Sequence, residues 1–201
     1  NVKEVQIPRP KEYDAAVNLI AQGNLAGAIP LLEKISSDYL MLQWDTFATR
    51  LLGDTYLKSG AADKAVRVCE KVIAADPEKA YLGEMAPIYW QALLKLDRKA
   101  KVEDLVTKAI KNGSRESSAS ALIMRGDLIL AEGDTRETLN KALRDGYLRV
   151  ITLYRDVKAA QPEALYKAAK CFEKLGQTAR AEDRRTLLKS DFGASEWARK
   201  P

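Results

Sequence analysis

The chain has 201 residues, 46% of them hydrophobic, with 33 basic and 28 acidic side chains, a net charge of +5 and no histidine. Without histidine the commonest general base, the commonest metal ligand and every Ser-His or Cys-His pair are gone. No GxGxxG or P-loop glycine pattern is present to cradle a phosphate. No apolar run approaches the roughly 18 residues of a bilayer span, and no stretch of alternating β-branched residues suggests a sheet. What remains is an all-α chain in which no catalytic, metal or cofactor site is expected.

Residues 1–10, NVKEVQIPRP, contain two prolines and an alternating Val2, Val5, Ile7 pattern. They predict an extended arm, either frayed or lying strand-like on the first helix. The chain begins at Asn1 without a methionine, as a processed product or an excised piece would. From residue 11 a spacing recurs. Gly53, Tyr56, Gly60, Ala65 and Pro77 stand at gaps of three, four, five and twelve. Aligning the chain on the turn residue gives Gly23, Gly60, Asp97, Gly133 and Gly176, separated by 37, 37, 36 and 43 residues. Seven before each turn come Ala16, Gly53, Trp90, Gly126 and Ala169, small except for Trp90. Four before come the large apolar Leu19, Tyr56, Leu93, Ile129 and Phe172. Five after come Ala28, Ala65, Val102, Thr138 and Ala181, mostly small, as close helix crossing requires. Hairpins are predicted over about 11–40, 46–79, 80–113, 115–156 and 161–194, followed by a short C-terminal helix, the whole of 11–201 forming one domain. A unit of this length cannot bury its apolar face alone, so several stack into a continuous core.

Helix punctuation fits the same map. Asp76 before Pro77 and Glu78 predicts an N-cap with proline in the first turn, so that the next helix begins at Pro77. Asp134 with Glu137 three later predicts a capping box. Leu40 and Gly193 occupy the places of the closing proline in the first and fifth hairpins. In the fourth, Leu139, Ala142, Leu143, Tyr147, Val150, Ile151 and Tyr154 follow one helical stripe, predicting a helix about 30 Å long. That stripe either packs on the third and fifth hairpins or overhangs as a ledge offering Tyr147 or Tyr154 to a partner.

The spacing resembles the tetratricopeptide repeat (TPR) family, over roughly residues 11–194 and most fully in residues 46–79. The resemblance implies a right-handed α-solenoid of about five hairpins that binds other proteins and does no chemistry. It places partner contacts on the first helix of each hairpin. The groove would present Tyr13, Val17 and Ile20, then Phe47, Arg50, Asp54, Leu57 and Lys58. Later hairpins would add Glu84, Gln91, Leu94 and Lys95, then Ile123, Asp127 and Leu130, then Glu163, Tyr166, Lys170, Glu173 and Lys174. Phe47, Arg50, Leu57 and Tyr166 are the expected anchors, since aromatic and Arg side chains carry most such binding. Asp54 stands where chaperone-binding TPRs place a clamp asparagine, and its charge would repel a terminal carboxylate. A mixed apolar and charged groove suits an extended or helical peptide. Residues 162–176 and 187–198 are also similar to bacterial cell-envelope TPR proteins, although Phe192-Gly193 replaces their tyrosine-proline pair. That likeness favours an exported, periplasmic setting.

The other features have plain readings. Cys69 and Cys171 are expected in the core as small hydrophobes, unbridged. Glu103-Asp104 and Glu182-Asp183 read as solvated helix surface, since sequence neighbours do not face one another on a helix. Residues 1–100 balance 13 basic against 13 acidic side chains, and residues 101–201 carry 20 against 15. Arg180, Arg184, Arg185 and Lys189 could form a basic face on the last helix, but Glu182, Asp183 and Asp191 interrupt it. Nucleic acid is therefore not expected as a partner. The alternative to a peptide-binding scaffold is a self-associating component of the cell envelope, a homo-oligomer using Trp197 and the Val2–Ile7 arm.

Overall fold

The computed structural model describes residues 8–39 and 44–201. The arm pattern of Val2, Val5 and Ile7, and Leu40, lie outside the described residues. The fold is all-α and built of helical hairpins, with no strand among the described residues. Two compact units divide the chain, one of residues 1–80 and 84–97, the other of 81–83 and 98–201.

In the first unit, α1 (Lys11–Ala21) packs on α2 (Leu25–Asp38), α2 on α3 (Trp44–Lys58), α3 on α4 (Ala62–Ala75), and α5 (Met85–Lys95) on both α3 and α4. Ala16, Ala28, Ala48 and Ala65 are wholly buried where these helices cross. Asn24 caps α2, its side chain accepting from the Gly27 N–H at 3.0 Å. The start of the third hairpin differs from expectation. Asp76 Oδ1 does accept from the Glu78 N–H at 3.3 Å, but Pro77–Ala80 forms only a 3₁₀ turn and the α-helix begins at Met85. Trp90, the misfit at a position that calls for a small residue, explains the shift. Its ring is fully buried, and its indole N–H donates to the Ala80 carbonyl at 2.8 Å.

The second unit holds α6 (Lys99–Asn112), α7 (Arg115–Leu130), α8 (Arg136–Ala142), a π-helical turn (Leu143–Tyr147), α9 (Leu148–Leu153), α10 (Gln161–Lys174), α11 (Thr178–Phe192) and a 3₁₀ turn (Trp197–Arg199). The expected C-terminal helix is thus only that last turn. The capping box of α8 lies one residue later than expected, formed by Thr135 and Thr138, because Asp134 is drawn away to pair with Lys174. The long apolar stripe packs inward on α7 and α10: Leu139, Ala142, Leu143, Tyr147, Val150 and Ile151 are all buried. Tyr147 therefore offers nothing to a partner, and the ledge reading fails there. Gln161, itself buried, ends the run by donating to the carbonyls of Val150 (3.1 Å) and Tyr154 (2.7 Å).

All five aligned turn residues have positive φ: Gly23 at 78°, Gly60 at 82°, Asp97 at 57°, Gly133 at 129° and Gly176 at 71°. Asp97 is the single non-glycine among the described residues to do so, and aspartate is one of the few side chains that tolerates the left-handed region.

Candidate partner-binding surfaces

The first unit gathers an aromatic row where α1 and α3 meet. Tyr13 and Trp44 rings are 5.3 Å apart, and Trp44 and Phe47 rings 5.5 Å. The Arg9 guanidinium lies 5.0 Å from the Tyr13 ring centre and 6.0 Å from that of Trp44, while Asp14 fixes it at 2.6 Å. Trp44 and Phe47 are three apart on α3 and so share a face. Phe47 remains 43% exposed and Val17 36%, high for large apolar side chains. Next to this row Arg50 meets Glu84 at 3.3 Å, joining α3 to the residue before α5. Asp54 and Lys58 pair with each other at 2.7 Å. Gln91 is half-buried and Lys95 exposed on α5.

Two expected contacts turn inward. Leu57 is 6% exposed and Tyr13 8%. Leu57 belongs to the core of the first unit, since a helix buried on two sides leaves little of its circumference to solvent. Tyr13 keeps only an edge beside Trp44. Trp44 and Arg9 escaped the sequence reading, although the Trp-x-x-Phe spacing on one helix was a signal for the former.

In the second unit the expected contacts cluster around α10. Asp127 on α7 accepts from the Tyr147 hydroxyl at 2.7 Å and from Lys167 Nζ at 2.6 Å, and Lys167 also meets Glu163 at 2.6 Å. Burial works against the Lys167 charge, but the two carboxylates outweigh it and hold its pKa above the ordinary value. Asp127 is thereby committed to an internal network, which corrects its expected partner role. Tyr166 is half-buried: its ring lies 5.5 Å from Trp197, and its hydroxyl donates to the Pro201 carbonyl at 3.2 Å. Trp197 is half-buried, with Lys200 Nζ 3.4 Å from its ring centre. Lys170 sits 5.8 Å from the Tyr166 ring and 3.8 Å from Glu173. Ile123 is buried.

The basic face of α11 is broken. Arg185 pairs with Glu173 at 2.6 Å, and Arg180 donates to the Gln177 side chain at 2.9 Å. The adjacent acids Glu103, Asp104, Glu182 and Asp183 are exposed. Cys69 and Cys171 are buried and free; burial pushes the first thiol up to about 12 and the second to about 11. Among the described residues no cluster of metal-ligand side chains occurs, and no helix is long and apolar enough to cross a membrane.

Paired helices turning on left-handed residues, with small side chains at the crossings, define a helical-hairpin repeat protein. Family models described as tetratricopeptide repeat match residues 51–79, from α3 through α4 into the 3₁₀ turn, and residues 163–184, within α10–α11. Two segments of the chain, one in each unit, are thus similar to tetratricopeptide repeats. As a class, such proteins are interaction modules. A solved structure titled "MamA AMB-1 P212121" is similar over 92% of this chain and 100% of that chain, with 14% identity and a TM-score of 0.49. No curated protein matches at a significant level.

Proposed function

We propose that this protein is a noncatalytic scaffold that holds an extended or helical segment of another protein on the α1–α3–α5 face of its first unit. The observation that carries this is the exposed Phe47, backed by the Tyr13–Trp44 row, with Arg50, the partner of Glu84, three residues further along α3 and with Val17 exposed on α1. An exposed aromatic held rigid by neighbours, beside an arginine, is the usual composition of a binding hot spot. Arg50 can exchange Glu84 for a partner carboxylate, because an ion pair this exposed is worth only about 0–1 kcal/mol. A bacterial cell-envelope setting belongs to the same proposal and is supported by the likeness of residues 162–176 and 187–198 to envelope proteins.

The test compares the native chain with Phe47→Ala/Arg50→Glu as bait for in-cell cross-linking, with circular dichroism confirming that both fold. The expected result is a partner held by the native chain and lost from the variant, with affinity for that partner falling about thirtyfold or more, the scale of a hot-spot truncation. Equal capture by both sinks the groove reading. Recovery of this chain's own copies alone, with concentration-dependent sedimentation, replaces it with self-assembly.

A further inference from the structure

The second unit contains a cleft of about 390 Å³ on the side of α7 that carries Arg125 and Leu128, walled by α6 and by the helical run from α8 through the π turn into α9. Its size is that of a pocket for one or two side chains, and too small for a helix. Val106, Leu128 and Ile129 contribute apolar surface; Arg125, Lys141 and Arg149 line the cleft as well. Arg125 and Lys141 are near enough to Asp145 to help Arg144 hold its pKa below the ordinary value, but none of Arg125, Lys141 and Arg149 forms a close ion pair with it, and Arg149 is exposed. Asp145 also lines the cleft, but its carboxylate is engaged by Arg144 at 2.8 and 3.0 Å.

The π turn helps to build this wall. Residues at four-residue steps drift around an α-helix of 3.6 residues per turn, and one wider turn offsets the drift. Lys141, Asp145 and Arg149 consequently all line the same cleft. Single π turns inside helices are frequent at functional sites.

We propose that this cleft docks a short acidic segment of a partner protein. One apolar side chain seats against Val106, Leu128 and Ile129, and carboxylates flanking it pair with Arg125, Lys141 and Arg149. Glu103 and Glu132 also line the cleft. They repel a continuous polyanion, so the site selects carboxylates around an apolar residue over nucleic acid or polyphosphate.

The probes are capped, dye-labelled five-residue peptides with Leu, Ile, Met or Phe at the centre and Asp or Glu on either side, with lysine-flanked counterparts as controls. Fluorescence anisotropy on the intact 201-residue chain is expected to show saturable, salt-sensitive binding of acidic peptides only. Arg125→Glu/Arg149→Glu should weaken it about tenfold or more, and Phe47→Ala/Arg50→Glu should leave it unchanged. Arg149→Gln, at an exposed position, gives the same reading with a smaller loss if the double variant does not fold. The proposal is overturned if no acidic peptide saturates, if lysine-flanked peptides bind equally, or if affinity survives the cleft substitutions. Displacement by inorganic phosphate at equal concentration also overturns it, in favour of a free-anion site.

Discussion

Gly60 sits at φ 82° with no atom within 4 Å of the position a Cβ would take. Any cost of a side chain there is therefore backbone cost alone, about 1–2 kcal/mol for alanine in the left-handed region and less for asparagine. Urea unfolding of Gly60→Ala and Gly60→Asn should rank them so; equal losses would mean that an unseen contact matters. Gly126 and Gly146 fail for a different reason. A Cβ on Gly126 would lie 2.5 Å from the buried Tyr147 ring, which Asp127 holds in place, and one on Gly146 would lie 2.9 Å from Gly126 backbone atoms and the Leu122 carbonyl. Gly146→Ala meets backbone that cannot swing aside, so it should cost about 1–3 kcal/mol and reduce the near-ultraviolet dichroism of Tyr147, which Gly60→Ala should leave intact. Gly126 was legible as a small residue seven before the turn. Gly146 was not, since nothing in the repeat spacing marks the second side of that crossing.

At the scale of elements, the regular hairpins were legible and the departures were not. The turn alignment was readable because one backbone requirement, positive φ, selects glycine or a short polar residue. Helix starts were harder, because several local hydrogen bonds compete for one position. Asp134 has the composition of an N-cap, yet its ion pair with Lys174, forty residues away, leaves capping to Thr135. Pro77 starts a 3₁₀ turn because the Ala80 carbonyl must reach Trp90. Trp90→Phe keeps most of the ring volume but strands that carbonyl, and should cost about 1–3 kcal/mol by chemical denaturation. A loss no larger than a few tenths would mean that water satisfies Ala80 and that the indole bond does not set the start of α5. The partner surface was half legible: Phe47 and Arg50 stand exposed enough to act, whereas Leu57, Asp127 and Tyr166 are occupied by contacts that come from other elements and leave no trace in the local spacing.

For the whole molecule, five buried or partly buried groups, Tyr56, Cys69, Tyr147, Lys167 and Cys171, are shifted in one direction. Burial, with Glu33 accepting its hydroxyl, raises Tyr56 to about 12, and burial raises Cys69 to about 12 and Cys171 to about 11. Tyr147 is pushed up by burial and Asp127, and Lys167 is held up by its two carboxylates against its own burial. A folded pKa above the unfolded one means that the unfolded chain releases its proton first as pH rises. The stabilisation is thus complete below the unfolded pKa and is lost on the way up to the folded one. For the thiols that window opens near the ordinary value of 9.0 and closes at about 11 for Cys171 and 12 for Cys69. The tyrosines enter near 10 and the lysine slightly later. Stability should therefore be flat from neutral to about pH 8.5 and then fall by up to about 1.4 kcal/mol per pH unit for each group titrating. Because only the thiols titrate in the first part of this window, Cys69→Ala/Cys171→Ala should flatten the slope between about pH 9 and 10 whatever it does to stability at pH 7, and should leave the steeper decline above about 10. Urea midpoints measured across that range read the slope directly. An unchanged slope in the double variant would place the alkaline sensitivity outside the two cysteines and contradict their burial as the cause.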